Sequence, residues 1–471
     1  MPVLPRLAIA FAVAVFAAMA LAGCDPSAST DLADGPAGTT EWFATVRGAE
    51  GFDYVNGVVE LPSGDVVVVG YSFGASVVGT SGAPAVLAGN TDNGDGFVAR
   101  LSPTGAVRWA RPIATGPGYG IVGDVAAVPG GVVVSGRFAG TATVGATTAT
   151  SGTGEAGFVA RLADDGTVSW VRLVESAASA KTTELAADAA GNVVVGGNFQ
   201  TTMTLGGTTR TSAGNADAWV ARFTPDGALG WLNTFGGAAS DGVNAVAVGP
   251  GGEAYVGGSF RNTLAVGAET FTSAGGRDGV ALRVEPDGRI AWAKHLAGAG
   301  TDDYFPGAGA SAGGVGFSGL ASGAVSFGGQ SAPGAGMVAV GVTPDGSVRW
   351  LTSFTGAGAC SAAMDAAGGL IVGGGYLNAG AFGGRVGGRY GGGASDGYVA
   401  RFTPAGAVDW VRTQNGTDDD GVCGVAAGAE HAYAAGWYGF SATLDGAAWP
   451  VESLLELDGF AARFRLVPAV L

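Results

Sequence analysis

Apolar positions along the chain come in short runs, each closed by Gly, Pro, Asp or Asn. Examples are DVVVVGYS at 65–72, VVVSGRF at 132–138, NVVVGGNF at 192–199, GVGFSGL at 314–320, LIVGGGY at 370–376 and AYAAGWY at 432–438. Such runs are too short for amphipathic helices, and their β-branched and aromatic content predicts strands. Residues 241–292 show the unit most clearly. DGVNAVAVGP and GEAYVGGSF are two strands joined by a tight Pro250-Gly251-Gly252 turn. A longer Gly- and Thr-containing segment follows, then DGVALRVEP, a turn at Asp287-Gly288, and RIAWAKH. Four antiparallel strands of this kind make one blade of a propeller.

The unit repeats. Trp42, Trp109, Trp170, Trp231, Trp292, Trp350 and Trp410 are spaced by 67, 61, 61, 61, 58 and 60 residues. The last six each close one phrase, such as DGFVARLSPTGAVRW at 95–109 or DAWVARFTPDGALGW at 217–231. A period near 60 with strand-and-turn content predicts an all-β, seven-bladed β-propeller with four antiparallel strands per blade. The last repeat ends at DGFAARFRL, 458–466, without its tryptophan strand. EWFATVRG, carrying Trp42, is expected to supply that strand and close the last blade, hiding sheet edges.

TFTSAGGRDGVALRVEPDGRIAW at 270–292 resembles the bacterial seven-bladed propeller repeats called SBBP repeats. The resemblance covers about residues 41–466. It implies the fold and is nearly silent on activity. The fifth repeat fits least well, because MVAVGVTPDG lacks the usual Asp and Arg.

The N-terminus is read apart from the repeats. Arg6, the apolar segment LAIAFAVAVFAAMA at 7–20 and Leu21-Ala22-Gly23-Cys24 resemble a bacterial lipoprotein signal with its lipobox. The resemblance implies cleavage before Cys24, lipidation of its thiol and a membrane partner through the acyl chains. The expected organisation is signal peptide 1–23, flexible tether 24–40 and propeller 41–471. The implied location is the cell envelope, on the periplasmic face or the cell surface.

Composition narrows the function. The chain carries a formal charge of −16, and removing the leader with Arg6 makes the remainder −17. An acidic domain of this kind is a poor binder of nucleic acid. Both histidines, His295 and His431, lie outside any HExxH motif and are read as surface or turn residues. No Ser-His-Asp triad has local support.

Long connections fall between strands two and three and between blades, so they share one face of the ring, the expected binding surface. Asp53, Asp241, Asp302, Asp303, Asp418, Asp419 and Asp420 lie in these loops, as does Asp92. Calcium favours several such oxygens, but no EF-hand spacing occurs, so these residues are read as solvated acidic loops without a cofactor, with a calcium site as the alternative. Cys360 and Cys423 occupy equivalent places in adjacent repeats, where a disulfide is open if geometry permits. The recurring Arg100, Arg161, Arg222, Arg283, Arg401 and Arg463 are read as structural. Pairing across the Ser102–Gly105 turn predicts Val98 opposite Trp109, with Arg100 diagonal to the indole and packed on it. Asp95, Asp217, Asp278, Asp396 and Asp458 open the same strands and are expected to bond nearby backbone N–H groups.

The leading functional expectation is a lipid-anchored recognition or scaffold protein. It would bind a protein, glycan or envelope component through the long-loop face. The alternative is an envelope hydrolase or lyase using acidic loop residues, with or without calcium.

Overall fold

The computed structural model describes residues 40–48, 52–74, 76–79, 85–87, 94–377, 382, 395–415, 419–439, 443–444, 447–448 and 458–466. Antiparallel sheets succeed one another along the chain. The first holds Tyr54–Glu60, Val66–Ser72, Asp95–Leu101 and Val107–Ile113. The second runs from Tyr119–Val128 to Val168–Ser176, the third from Ala180–Ala187 to Leu229–Phe235, and the fourth from Gly242–Val248 to Ile290–Gly298. The fifth spans Tyr304–Ser311 to Val348–Thr355 and the sixth Ala357–Met364 to Val408–Asn415. The last sheet contains Gly421–Ala427, His431–Tyr438 and Asp458–Arg465, and its outer strand is Thr40–Gly48. That N-terminal strand pairs antiparallel with Asp458–Arg465, from Thr40↔Phe464 to Val46↔Gly459.

The first strands contact one another in a closed cycle, Tyr54–Glu60 meeting both Tyr119–Val128 and Gly421–Ala427. The ring is therefore a β-propeller with these strands around its axis. A separate apolar core fills each gap between neighbouring sheets. One packs Val69, Val98 and Leu61 against Val134, Phe138 and Phe158. Another joins Tyr433 and Ala461 of the last sheet to Val55, Val66 and Phe97 of the first.

The expected ring of seven uniform four-stranded blades is corrected. Among the described residues, three sheets have four strands and four have six. The extra strands are hairpins from the long connection between strands two and three. Each reaches backward to bond the outer strand of the preceding sheet. Ser76–Gly79 pairs with Thr40–Gly48, Thr202–Leu205 with Val168–Ser176, and Val325–Phe327 with Ile290–Gly298. An outer strand otherwise presents unpaired N–H and C=O groups, so a long, polar, β-prone connection is drawn onto it.

The repeated tryptophan explains the packing of successive sheets. Trp109, Trp170, Trp231, Trp292 and Trp350 donate Nε1–H to the carbonyls of Asp164, Pro225, Pro286, Pro344 and Pro404, at 2.9–3.1 Å. Each acceptor sits in the tight turn between strands three and four of the next sheet. Trp42 does the same to Pro103, 2.8 Å away, across the closure. The turn glycine two residues on lies beneath the indole. Gly288 has φ +91°, and a Cβ built there would stand 2.9 Å from Trp231 Cγ.

Arg100, Arg161, Arg283 and Arg463 share this acceptor, whereas Arg222 bonds Gly252 O and Asp188, and Arg401 bonds Asp365 and Asp409. Arg100 and Trp109 both reach the Asp164 carbonyl, and Arg161 and Trp170 that of Pro225. The expected diagonal register is corrected, because Arg100 lies directly opposite Trp109. A bulge between Arg100 and Leu101 shifts the pairing. Guanidinium-over-indole contacts come instead from Arg172 on Trp170 and Arg412 on Trp410. In the fifth sheet Gly341 takes the arginine's place opposite Trp350, and the indole lies over it.

Candidate functional site

The acidic loop residues proposed as ligands do not converge. Asp53, Asp241, Asp303 and Asp420 each precede a first strand of a different sheet and are buried. Each carboxylate accepts from a backbone N–H at the equivalent place in its own sheet, just past the second strand in three sheets and inside the longer Ala254–Val266 strand in the fourth. The pairs are Phe73 N to Asp53 (3.1 Å), Arg261 N to Asp241 (3.1 Å), Ser322 N to Asp303 (2.8 Å) and Gly439 N to Asp420 (2.9 Å). They are latches at the long-loop rim, satisfying a backbone donor where the ladder ends. Burial raises the carboxyl of Asp241 to about 6, and Asp303 also lies above its usual range for the same reason. Asp302 pairs with Arg277 and Arg261 at 3.0 and 3.5 Å, and Asp419 accepts from Ser395 N at 2.8 Å. Among the described residues no group of three or more His, Cys, Asp or Glu is placed to hold a metal ion. Asp418, Asp92 and Cys24 lie outside the described residues. The strand-opening aspartates behave as the sequence suggests where the bonds are resolved: Asp217 accepts from Ala213 N and Asp278 from Ala274 N, both at 2.9 Å.

The histidines are corrected from surface or turn residues to partly buried strand residues. His295 Nε2 lies 2.6 Å from Asp278 and packs against Phe260 and Phe271. His431 Nε2 is 3.2 Å from Glu41 of the closing strand, and burial lowers its pKa.

Every first strand carries a bulge at the same level, where its register skips Asn56, Gly123, Thr183, Asn244, Phe305-Pro306, Cys360 or Cys423. These sites tie neighbouring sheets together around the axis. Asn56 Nδ2 donates to Val122 O at 2.9 Å and Thr183 Oγ1 to Val243 O at 2.8 Å. Cys360 and Cys423 are joined by a disulfide, Cα–Cα 4.9 Å, across two adjacent strands. Between the second and third sheets, Asp124 accepts from Val125 N and Leu185 N, at 2.7 and 2.8 Å. The Glu184 carboxyl bonds Asp124, and enclosure beside that carboxylate raises the Glu184 pKa well above the usual range.

The arrangement best suited to a ligand is one the sequence reading passed over. The second-strand residue that pairs with Gly96, Gly157, Ala218, Gly279, Met337, Gly397 or Gly459 of the third strand changes chemistry around the ring: Tyr71, Arg137, Asn198, Ser259, Leu320, Gly375 and Trp437. The residue before each is glycine, and the residue after is Phe, Tyr, Ala or, in the first sheet, Ser72. The signal was present as variation at one place in an otherwise repetitive phrase. These positions lie one strand out from the axis at the long-loop end, because the second strand runs into the long connection.

On one side of that mouth the rings join into a wall. Tyr54 stacks on Tyr71 with centroids 5.1 Å apart and meets Trp437 at 5.4 Å; Phe73 lies edge-on to Tyr71 at 5.9 Å. All four are half-buried. Beside them Glu155 binds Arg137 at 2.9 Å and also takes Lys181 and the Tyr119 phenol. Burial pushes the phenols of Tyr71 and Tyr119 up to about 12, so both remain hydrogen-bond donors at neutral pH.

The closed ring of sheets defines a β-propeller, a fold that hosts many unrelated functions. Comparison with known proteins adds little beyond that class. No family model matches the chain, and no curated protein matches it. A solved structure described as the Dos1 propeller aligns over 88% of this chain and 93% of its own, with 7% identity and a TM-score of 0.40.

Proposed function

We propose that this protein is a lipid-anchored recognition module of the bacterial cell envelope, built from SBBP-type repeats, that binds its ligand at the mouth of the propeller on the long-loop face. One observation carries the reading. The second-strand position that varies in chemistry from sheet to sheet is the one that lines this mouth, while the opposite end consists of tight turns occupied by tryptophan docking. Rigid scaffolds vary the residues that meet a ligand and repeat the residues that hold the fold. The envelope location rests on Arg6, the apolar segment 7–20 and Leu21–Cys24, with residues 24–40 as the tether.

The hydrolase or lyase alternative loses its assembled carboxylates. Asp53, Asp241, Asp303 and Asp420 occupy four different sheets, and each gives a carboxylate oxygen to a backbone N–H. Capture assays with native envelope material test the recognition reading. Arg137→Ala and Trp437→Ala are expected to reduce capture strongly, whereas Asp287→Asn in an opposite-face turn leaves it unchanged. Equal capture by all three would refute a ligand site at the mouth. Cys24→Ala tests the anchor: it should accumulate unprocessed and leave the detergent phase.

A further inference from the structure

Independently of the ligand at the mouth, we infer that the rim between the fourth and fifth sheets binds a calcium ion through Asp278 and Asp303. The two residues belong to different series in the sequence, Asp278 to the aspartates of the third strands and Asp303 to those ahead of the first strands. The backbone brings them side by side. Arg277 N donates to Thr301 O at 2.9 Å, Asp303 N donates to Arg277 O at 2.7 Å, and Arg277 and Asp302 form a parallel bridge. One residue further along each segment stand the two aspartates. A Cβ built on Gly279 would lie 3.3 Å from Tyr304 Cα, so the segments stay close beyond them.

Both residues are fully buried, at 0% exposure, and each carboxylate has one oxygen bonded and one free. Asp278 Oδ2 accepts from Ala274 N at 2.9 Å and lies 2.6 Å from His295 Nε2, while Oδ1 is buried without a hydrogen-bond partner. Asp303 Oδ1 accepts from Ser322 N at 2.8 Å, and its Oδ2 is likewise buried and unpaired. That oxygen lies against Gly298, where a Cβ would stand 2.1 Å from it, so only glycine admits the carboxylate in this position. Among the described residues no Lys or Arg pairs with either carboxylate; Arg277 and Arg261 both turn to Asp302. A buried anionic oxygen without donor or counter-charge loses its hydration and gains nothing in return. A cation between Asp278 and Asp303 supplies the missing charge to both.

The chemistry selects the ion. Both free atoms are hard carboxylate oxygens, and His295 Nε2 is already engaged by the other oxygen of Asp278, which disfavours zinc and copper. Two carboxylates leave the rest of the shell to main-chain carbonyls and water, an irregular set that calcium accepts and magnesium does not. The equivalent pair one gap earlier shows the contrast. Asp241 N donates to Ala216 O at 2.8 Å, which sets Asp241 beside Asp217. There Gly237 N and Arg261 N take both oxygens of Asp241, at 2.7 and 3.1 Å, and only Asp217 Oδ1 stays unpaired. The assignment is therefore to the gap between the fourth and fifth sheets.

The test titrates the full-length protein, stripped with EDTA, with calcium chloride, read by calorimetry and by thermal unfolding. Salt at about 150 mM screens non-specific attraction of cations to the acidic surface. Calcium should bind, and the melting temperature should climb with its concentration. Asp303→Asn keeps an acceptor for Ser322 N and can turn its amide toward Asp278 Oδ1. It should melt no lower than wild type in EDTA and lose at least about ten-fold in calcium affinity. Asp278→Asn is the second variant and should lose as much, whereas Asp241→Asn should keep the wild-type affinity. Magnesium should bind more weakly, and equal or tighter magnesium binding overturns the choice of ion. An unchanged melting curve and no heat at millimolar calcium overturn the site, as does undiminished binding in both the Asp278 and Asp303 variants. Without a calcium response, a melting temperature that rises on acidification to about pH 5 in EDTA, and only with both carboxylates present, identifies a shared proton and overturns the cation. None of the variants touches Arg137 or Trp437, so failure here leaves the recognition reading to its own assay.

Discussion

Replacing Gly288 by alanine isolates the contact that links one sheet to the next. The backbone at Gly288 has φ +91°, which an L-residue adopts at a cost of roughly 1–2 kcal/mol. The new Cβ would also stand 2.9 Å from Trp231 Cγ, too close to remain. The indole must withdraw, stretching its 3.1 Å bond to Pro286 O, worth about 1 kcal/mol, and loosening its packing. The expected loss is about 3 kcal/mol. Gly207→Ala provides the control, because φ there is +78° and no atom lies within 4 Å of a Cβ. It should cost only the backbone part, about 1–2 kcal/mol. Urea denaturation of both variants, alone and in a Trp231→Ala background, measures the difference. Removing the indole should bring the cost of Gly288→Ala down to that of Gly207→Ala. Equal losses in the wild-type background, within about 0.5 kcal/mol, would refute the docking argument.

Other outcomes follow from the same geometry. Deleting residues 40–48 should lower the melting temperature far more than deleting 25–38, because it removes the strand paired to Asp458–Arg465 and the Trp42–Pro103 contact; equal melting temperatures would count against closure. Breaking the Cys360–Cys423 bridge with paired alanines, or with reductant, should cost up to about 4 kcal/mol for a separation of 63 residues, measured by denaturation with and without dithiothreitol. The Glu184–Asp124 pair has folded pKa values raised above the unfolded ones, so its contribution is complete below roughly pH 4 and is lost as pH rises through the folded value. Glu184→Gln keeps a donor to Asp124 without the titration. It should flatten the melting temperature against pH and raise it at neutral pH relative to wild type, and an unaltered pH profile would exclude the raised pKa values.

The order of strands, the turns and the ring were legible in the sequence because each is set locally. A run such as DVVVVGYS has strand propensity wherever it sits, and an Asp-Gly pair before a further apolar run turns the chain back on itself. Repetition then does the rest: a unit that cannot bury both faces alone stacks on its copy. The sequence also placed Cys360 and Cys423 at equivalent positions, since they share a phase within the repeat.

Only the tertiary structure decided what met across the gaps. The tryptophan's partner is a turn about 55 residues away in the next sheet, and nothing near Trp231 names Pro286 or Gly288. The hairpins that widen four sheets were invisible as strands of the preceding sheet, because pairing to an edge depends on which edge lies nearby. The acidic loop residues read along the chain as solvated loops or, as the alternative, a shared ligand rim, whereas Asp53, Asp241, Asp303 and Asp420 are buried. Folding separates Asp53, Asp241, Asp303 and Asp420 onto four sheets and assigns each to a backbone N–H. Tyr54, Tyr71 and Trp437 look unrelated in sequence, and ring closure makes them one surface. Local propensity and period specify the repeated unit; which side chains become neighbours is a property of the closed ring, where the last sheet meets the first.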